Sequence, residues 1–250
     1  MGISSTNKEF HGFDDAAGSY KERFDGLMAN GISMGGPVHI EAKHLGVTEL
    51  VEYLKRAEGT YLHYNVGEKG ITADTGIYYT SFPKWEGWDF ISQVAQEIGM
   101  TNFTPMQCSK SGLRELSKAI HDNYYEEFYG LIEKFVQEEY IDKLRLDEFP
   151  GAKSALSYFS IVVNGGAGRG GKILQKVLNS AGAGLVVDGK PGNKTFAALT
   201  SIPLDDAYLN QELLQGMQDF YDYLIRKNPS KYGRFGKGWT NRLIALGYEG

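Results

Sequence analysis

The sequence contains one cysteine, Cys108, among its 250 residues. A single thiol excludes an internal disulfide framework, and a lone cysteine is more often a small buried apolar residue than a nucleophile. No apolar run approaches the length of a membrane span. The first fifteen residues also lack the apolar segment of a secretory signal. We therefore expect a protein that is made in the cytoplasm, with no signal peptide and no membrane span.

The sequence also lacks an excess of positive charge. The formal net charge of −5 argues against nucleic acid as the main partner. The five histidines have no ligand partners at a useful spacing, so we predict no metal and no cofactor. Positive charge is concentrated in one place. Residues 226–242 carry six cations and no acid, which indicates either a solvated surface or a landing patch for an acidic polymer.

The apolar pattern divides the chain into an arm and two larger regions. Residues 1–36 are polar and rich in glycine, and we interpret them as an N-terminal arm that a partner could order. Residues 47–57 repeat apolar side chains at helical spacing, and Gly59 supplies a stop. Glu58 is therefore predicted to be the last side chain of a helix. Pro150 and Gly151 mark a boundary between region 37–150 and region 151–250.

Secondary-structure patterns predict a mainly α protein. Residues 60–82 mix aromatic and β-branched side chains with glycines, which predicts a small β-hairpin lobe. Residues 86–148 are mostly helical and acidic. Further helices are expected at about residues 153–163, 170–180, 193–200, 205–227 and 236–246.

One glycine pattern imitates a nucleotide site. Gly166, Gly168 and Gly171 follow an apolar run, as in a dinucleotide fingerprint, and Lys172 completes most of a phosphate loop. The phosphate loop fails at Ile173, where a hydroxyl must reach the metal. The dinucleotide motif needs a parallel sheet around it, and the rest of the chain looks helical. We therefore set both nucleotide interpretations aside.

A second turn pattern points to cell-wall binding. The stretch VVDGKPGNKTFAAL, residues 186–199, has an Asp-Gly turn, a second glycine and a short helix that begins near Thr195. This arrangement resembles small peptidoglycan-binding modules.

Three segments together resemble glycoside hydrolase family 108, the bacterial and phage N-acetylmuramidases. The first runs from Ala57 to Tyr79 and resembles the family's Glu-Gly-Gly-Tyr box and the Gly-Ile segment that follows it. The second, residues 159–179, resembles its Val-Asn-x-Gly helix pair. The third, residues 220–246, contains a Phe-x-x-Gly-Trp-x-x-Arg box. All three occur in the family's order. The resemblance implies a lysozyme-like α+β fold with a helical body.

The resemblance assigns functional residues position by position. Glu58 falls on the catalytic glutamate and Glu68 on the second carboxylate, where the family has Asp. Ile71 replaces a glycine and Ala73 replaces a threonine, although Thr72 is adjacent. Asp74 competes with Glu68 for the role of second carboxylate. The residues predicted to contact substrate are Tyr61, Thr72, Asp74, Tyr78, Asn164 and Trp239.

Glycoside hydrolysis explains why these residue types matter. One carboxylic acid protonates the leaving oxygen, and a second carboxylate acts as base or nucleophile. The C-terminal end of a helix carries partial negative charge, which should favour the protonated form of Glu58. Glu68, in a loop rich in glycine, would stay ionised. We therefore expect a hydrolase of the peptidoglycan glycan strand, carried as a phage lysin or a virion enzyme.

Two alternatives stay open at this stage. The first is a phage-tail or secretion-particle component that binds the cell wall without cleaving it. Its arm would contact other particle proteins. The changes at Ile71 and Ala73 favour this alternative. The second is a hydrolase of another amino-sugar polymer, such as chitin.

Overall fold

The computed structural model describes residues 44–64 and 70–250. Everything below concerns these two ranges. The N-terminal arm and Glu68 lie outside the described residues, so their predicted roles stay predictions.

Helices make up most of the described chain, and the mainly α class is confirmed. Short 3₁₀ or π segments occur at Asp74–Gly76, Gln137–Asp142, Leu146–Glu148 and Gly233–Phe235. The α-helices are α1 Val47–Glu58, α2 Gly87–Glu97, α3 Lys110–Asn123, α4 Tyr125–Val136, α5 Ala152–Gly165, α6 Ala167–Ser180, α7 Asn193–Ser201, α8 Asp206–Lys227, α9 Pro229–Tyr232 and α10 Gly236–Ala245.

The predicted β-hairpin lobe is represented only by single bridges in the described residues. Thr72 bridges both His63 and Tyr78 in antiparallel fashion. His63 and Thr72 exchange two backbone hydrogen bonds of 3.0 and 2.8 Å. These contacts hold the segment after α1 folded back on itself. The hairpin itself stays a prediction.

Local sequence determines both ends of α1. The carboxylate of Glu49 accepts a hydrogen bond from the backbone N–H of Gly46 at 3.1 Å, which satisfies an otherwise free donor at the start of the helix. Leu50, Val51 and Leu54 are buried along one face. At the other end Gly59 has φ of 88°, a conformation that favours glycine, so the helix stops at Glu58.

Helix α5 forms the centre of the C-terminal region. Its side chains from Ala152 to Val162 are almost all buried. Residues 159–163, which preceded the nucleotide-like glycines, therefore belong to a helix. The same glycines lie at the end of α5 and in α6, without a strand before them. This contradicts both nucleotide interpretations, because each requires a strand that leads into a phosphate-binding turn.

Helices α1 and α5 meet through Tyr53. Its ring packs edge-on against Phe159 with centroids 6.1 Å apart. Its hydroxyl donates a hydrogen bond to Ser160 at 3.3 Å. Tyr140 packs on the same phenylalanine at 5.0 Å. Side chains from before and after Pro150 thus share one core.

Within the described ranges, no helix combines the length and the apolar character that a membrane span requires.

Candidate functional site

Glu58 lies at the edge of a narrow crevice between α1, α5 and α10. It is half-buried and is the last residue of α1. We call this space the Glu58 crevice. It is lined by Tyr53, Leu54, Ala57, Glu58, Phe159, Ser160, Val163, Asn164 and Arg242.

Polar groups line the far wall of the crevice. The guanidinium of Arg242 donates to the side-chain oxygen of Asn164. The amide nitrogen of Asn164 donates to the backbone oxygen of Ser160 at 2.7 Å. Burial raises the pKa of Tyr53, the bond to Ser160 and the charge of Arg242 oppose this rise, and the charge of Glu58 adds to it. Both charged groups therefore act on the same buried tyrosine.

The Glu58 crevice is small. Its volume of about 20 Å³ is close to what one water molecule needs. A sugar ring cannot enter this space in the described conformation. A polymer substrate would therefore have to pass over the opening of the crevice, where Glu58 is half-buried.

A short turn, Asp74–Gly76, presses against Glu58. A Cβ atom built on Gly76 would lie 2.8 Å from Cγ of Glu58, and Gly76 has φ of 80°. The backbone N–H of Thr75 donates to the oxygen of Gly59 at 3.0 Å. Thr75 itself has φ of 64°, which is strained for a β-branched residue. The turn thus fixes the side chain of Glu58 from one side.

The first residue of this turn is a buried carboxylate. Asp74 is 1% exposed. Its Oδ2 lies 2.8 Å from Nε2 of His121 and accepts a hydrogen bond from the hydroxyl of Tyr129 at 3.1 Å. Its Oδ1 has no hydrogen-bond partner among the described residues. The hydrogen bond to Asp74 raises the pKa of His121, although burial opposes it.

Burial also raises the pKa of Tyr129, and the Asp74 charge and hydrogen bond act in the same direction. The hydroxyl of Tyr129 therefore stays protonated and continues to donate. Among the described residues, His121 and Tyr129 both contact the same oxygen of Asp74, Oδ2.

The structure places the predicted substrate contacts in different surroundings. Tyr61 is exposed, and Asn164 lies in the Glu58 crevice. Thr72, Asp74 and Tyr78 are buried in the segment that follows α1. Their side chains offer little surface to a ligand, and their assigned roles stay predictions.

Trp239 lies in the C-terminal core. It is 2% exposed and stacks on Tyr221 with centroids 4.6 Å apart. Phe235 stacks beside it at 5.8 Å. Its neighbour Arg242, in the same helix, reaches the Glu58 crevice. The assigned contact between Trp239 and substrate stays a prediction, and the structure shows packing instead.

Sequence reasoning missed two residues near Glu58. Arg242 was considered only as part of the basic run, although it closes the Phe-x-x-Gly-Trp-x-x-Arg box. His121 had no local motif, because its partner Asp74 lies 47 residues away. The box could have indicated Arg242, whereas no local signal could have indicated His121.

The peptidoglycan-like turn also has a defined geometry. Asp188 accepts hydrogen bonds from the side chain of Gln175 and the backbone of Lys190, both at 2.8 Å. Gln175 in turn accepts from the N–H of Gly189 at 2.9 Å. The bond from Gln175 and that from Lys190 lower the pKa of Asp188. Gln175 of helix α6 therefore holds the turn through two hydrogen bonds. Val186 and Val187, which precede the turn, are exposed.

The C-terminal part of the chain is similar to a known protein family. A family model described as a predicted peptidoglycan domain matches residues 169–244. No curated protein and no solved structure matches the chain. The match supports a peptidoglycan-related protein that associates with the cell wall. The resemblance to glycoside hydrolase family 108 receives no separate confirmation.

Proposed function

We propose that this protein cleaves the glycan strands of peptidoglycan, with Glu58 as the general acid. One observation carries the proposal. Glu58 shares its crevice with Arg242, which belongs to the segment that matches the peptidoglycan family. A carboxyl group and a wall-binding segment thus meet at one place on the surface.

A general acid has to carry a proton when substrate is bound, because only the protonated form can donate to the leaving oxygen. The C-terminal end of a helix carries partial negative charge, which is a suitable place for such an acid.

The burial of Asp74 argues against it as the second carboxylate, so we retain Glu68, the residue that the sequence assigns. Asp74 is buried, and His121 and Tyr129 both bind one of its oxygens. A base or nucleophile must reach the sugar or an attacking water. Glu68 lies outside the described residues and therefore enters the proposal from the sequence alone.

The C-terminal region would hold the enzyme on its substrate. The cations Arg226, Lys227, Lys231, Arg234 and Lys237 are exposed. They lie within the matched segment and can attract an acidic wall polymer at low salt. Arg242, the last cation of that run, is half-buried and binds Asn164 instead.

The decisive experiment is Glu58→Gln. This variant keeps size and hydrogen-bonding capacity but has no proton to donate to the leaving group. We expect turbidity clearance of a cell-wall suspension to fall by about a hundred- to ten-thousand-fold. Glu133→Gln, at an exposed position of α4, is the matched control and should behave like the parent.

The outcome has a clear interpretation. Thermal melting and pelleting with purified walls should be unchanged in Glu58→Gln. Mass spectrometry of the released muropeptides identifies the bond that the parent cleaves. A folded Glu58→Gln variant that clears walls at the parent rate would contradict the assignment of the acid.

A second candidate function is cell-wall binding without cleavage, as in a structural part of a phage tail or secretion particle. The water-sized crevice beside Glu58 favours it, because no sugar ring fits there. A parent protein that pellets with walls and releases no muropeptide would establish this second function. Zymography on peptidoglycan against chitin separates both from a chitin hydrolase.

A further inference from the structure

Three aromatic rings from separate segments form a small surface beside the Glu58 crevice. Tyr61 follows α1, His121 lies near the end of α3, and Tyr125 opens α4. The ring of Tyr61 stacks on that of His121 with centroids 6.3 Å apart and an interplanar angle of 12°. The ring of Tyr125 meets the same imidazole edge-on at 6.0 Å. We call this surface the tyrosine face.

The two tyrosine rings of the tyrosine face are exposed to solvent. Tyr61 is 66% exposed and Tyr125 is 41% exposed. The Tyr61 ring lies nearly parallel to that of His121, and most of the residue remains open to solvent. Aromatic rings that stack only to build a hydrophobic core are normally buried. A flat ring surface in water is what a ligand with an apolar side can cover.

Contacts with Asp74 and Lys55 hold the tyrosine face in place. Asp74 binds the imidazole of His121 at 2.8 Å and the hydroxyl of Tyr129 at 3.1 Å. Lys55 donates to the hydroxyl of Tyr125 at 3.1 Å and lies 4.1 Å from the ring centroid of Tyr129. The rings are therefore positioned before any ligand arrives, which lowers the entropy cost of binding.

The tyrosine face borders the Glu58 crevice. Asp74 supports the face, whereas Gly76 packs against Glu58, and both belong to one turn. Two successive peptide units span at most about 7.6 Å between these Cα atoms. Tyr61 also follows Glu58 closely along the chain. A polymer that passes over Glu58 can thus reach the tyrosine face with a neighbouring ring.

The surrounding charges favour an uncharged ligand group. Glu126 and Glu127 are exposed and follow Tyr125 in sequence, whereas Asp122, next to His121, is paired with Lys118. Lys55 is already paired with Glu52 at 2.7 Å. Acidic stem peptides would therefore meet like charge at this surface. A pyranose ring has an apolar C–H side that stacks on aromatic rings and hydroxyls that stay in water.

We propose that Tyr61, His121 and Tyr125 form a sugar-stacking subsite for a pyranose ring of an amino-sugar glycan. The subsite rests on the proposed function for the identity of the polymer. Tyr61 supplies the stacking plane. The ring of Tyr125 meets His121 edge-on and packs on Tyr129 with centroids 4.3 Å apart, so it flanks that plane. His121 and Asp74 act as positioning residues that orient it.

The test measures binding separately from cleavage. Glu58→Gln serves as the background, and isothermal titration uses peptidoglycan glycan oligosaccharides freed of stem peptides. We expect Tyr61→Ala or Tyr125→Ala to weaken binding by about three- to tenfold, the usual range for one aromatic contact. Tyr61→Phe should bind within about twofold of the background, since the ring remains.

Tyr248→Ala is the matched control, because Tyr248 is a half-buried tyrosine outside both the tyrosine face and the segment that matches the peptidoglycan family. Chitin oligosaccharides form a second arm. Equal loss for both oligosaccharides in Tyr61→Ala supports a subsite that recognises the shared sugar ring. Loss for the peptidoglycan oligosaccharide alone supports a subsite specific to that polymer.

The proposal is overturned if Tyr61→Ala and Tyr125→Ala bind as tightly as the background, or if Tyr248→Ala weakens binding equally. It is also overturned if the background binds no oligosaccharide of either kind. Failure of the acid assignment looks different. In that case Glu58→Gln still cleaves walls, and mass spectrometry of the oligosaccharide after the titration shows whether it was cleaved during the binding measurement.

Discussion

The described residues before Pro150 and those after it bury polar groups in different ways. In the first region the buried set includes a charged side chain, Asp74, with one oxygen unpartnered among the described residues. In the second region the buried polar side chains are all uncharged. They are Ser154, Ser157, Ser160, Gln175, Thr195 and Asn210.

The second region satisfies its polar groups. Ser157 donates to Asn210 at 2.6 Å, and Asn210 donates to the backbone oxygen of Leu246. The first region instead keeps strain, because Thr75 has a left-handed conformation beside Glu58. Strain and buried charge persist only where surrounding contacts impose them, and they are common at functional sites. Under the proposed function, the first region would carry the chemistry and the second would support it and bind the wall.

The largest expected effect tests whether the second region is a packed support. Trp239→Ala removes a buried ring that stacks on Tyr221, so we expect unfolding to become easier by about 3–5 kcal/mol. Denaturant titration measures this. Trp239→Phe should lose less. If Trp239→Ala is nearly as stable as the parent but no longer pellets with walls, Trp239 contacts substrate and the comparison is wrong.

An intermediate effect tests the strained turn in the first region. Gly76→Ala forces a left-handed alanine whose Cβ meets Glu58, so we expect a loss of about 1–2 kcal/mol and slower wall clearance. Gly168→Ala is the control in the second region. No atom lies within 4 Å of the added Cβ there. It should be neutral or stabilise by up to about 1 kcal/mol.

The difference between these two alanine variants sharpens the comparison. Melting temperature and turbidity clearance are measured on both proteins. Equal stability and equal clearance for Gly76→Ala and the parent would mean that the turn does not fix Glu58.

The smallest expected effect concerns pH. All five histidines lie before residue 122, so the second region has none. The hydrogen bond to Asp74 raises the pKa of His121 above its ordinary value of about 6.5, burial opposes this, and Asp122 raises it whereas Lys55 lowers it. The stabilising contribution is therefore complete below about pH 6.5 and is lost as pH rises through the raised pKa.

His121→Gln provides the measurement. The difference in unfolding free energy between the parent and this variant should be largest below about pH 6.5 and should shrink as pH rises through the raised pKa of His121. His63→Gln is the control, because the His63 ring contacts a backbone oxygen of Tyr61 and, within the part of the chain that the structure describes, no carboxylate. A pH-independent difference for His121→Gln would show that no charged pair forms with Asp74.

The regular helices could be predicted from the sequence, whereas the support of the site could not. Helices α5 to α8 and α10 begin and end within a few residues of the predicted limits, because glycine, proline and apolar spacing act locally. Glu58 was also correctly placed as the last helical residue, since Gly59 follows it.

Long-range polar contacts explain the remainder. Asp74 with His121 and Asn164 with Arg242 are pairs separated by 47 and 78 residues. Their partners depend on how the helices pack, and no spacing rule connects them. The left-handed Thr75 was also unpredictable, because threonine normally avoids that conformation.

The composite wall of the Glu58 crevice has a consequence for protein engineering and for domain exchange. Glu58, Asn164 and Arg242 come from three helices that are distant in sequence. A chimera that replaces residues 169–244 with another wall-targeting module would also remove Arg242 from beside Glu58. The binding segment is therefore not an exchangeable cassette. Retargeting to another bacterial wall has to alter exposed positions of α8 to α10 while keeping the inner face that reaches Arg242.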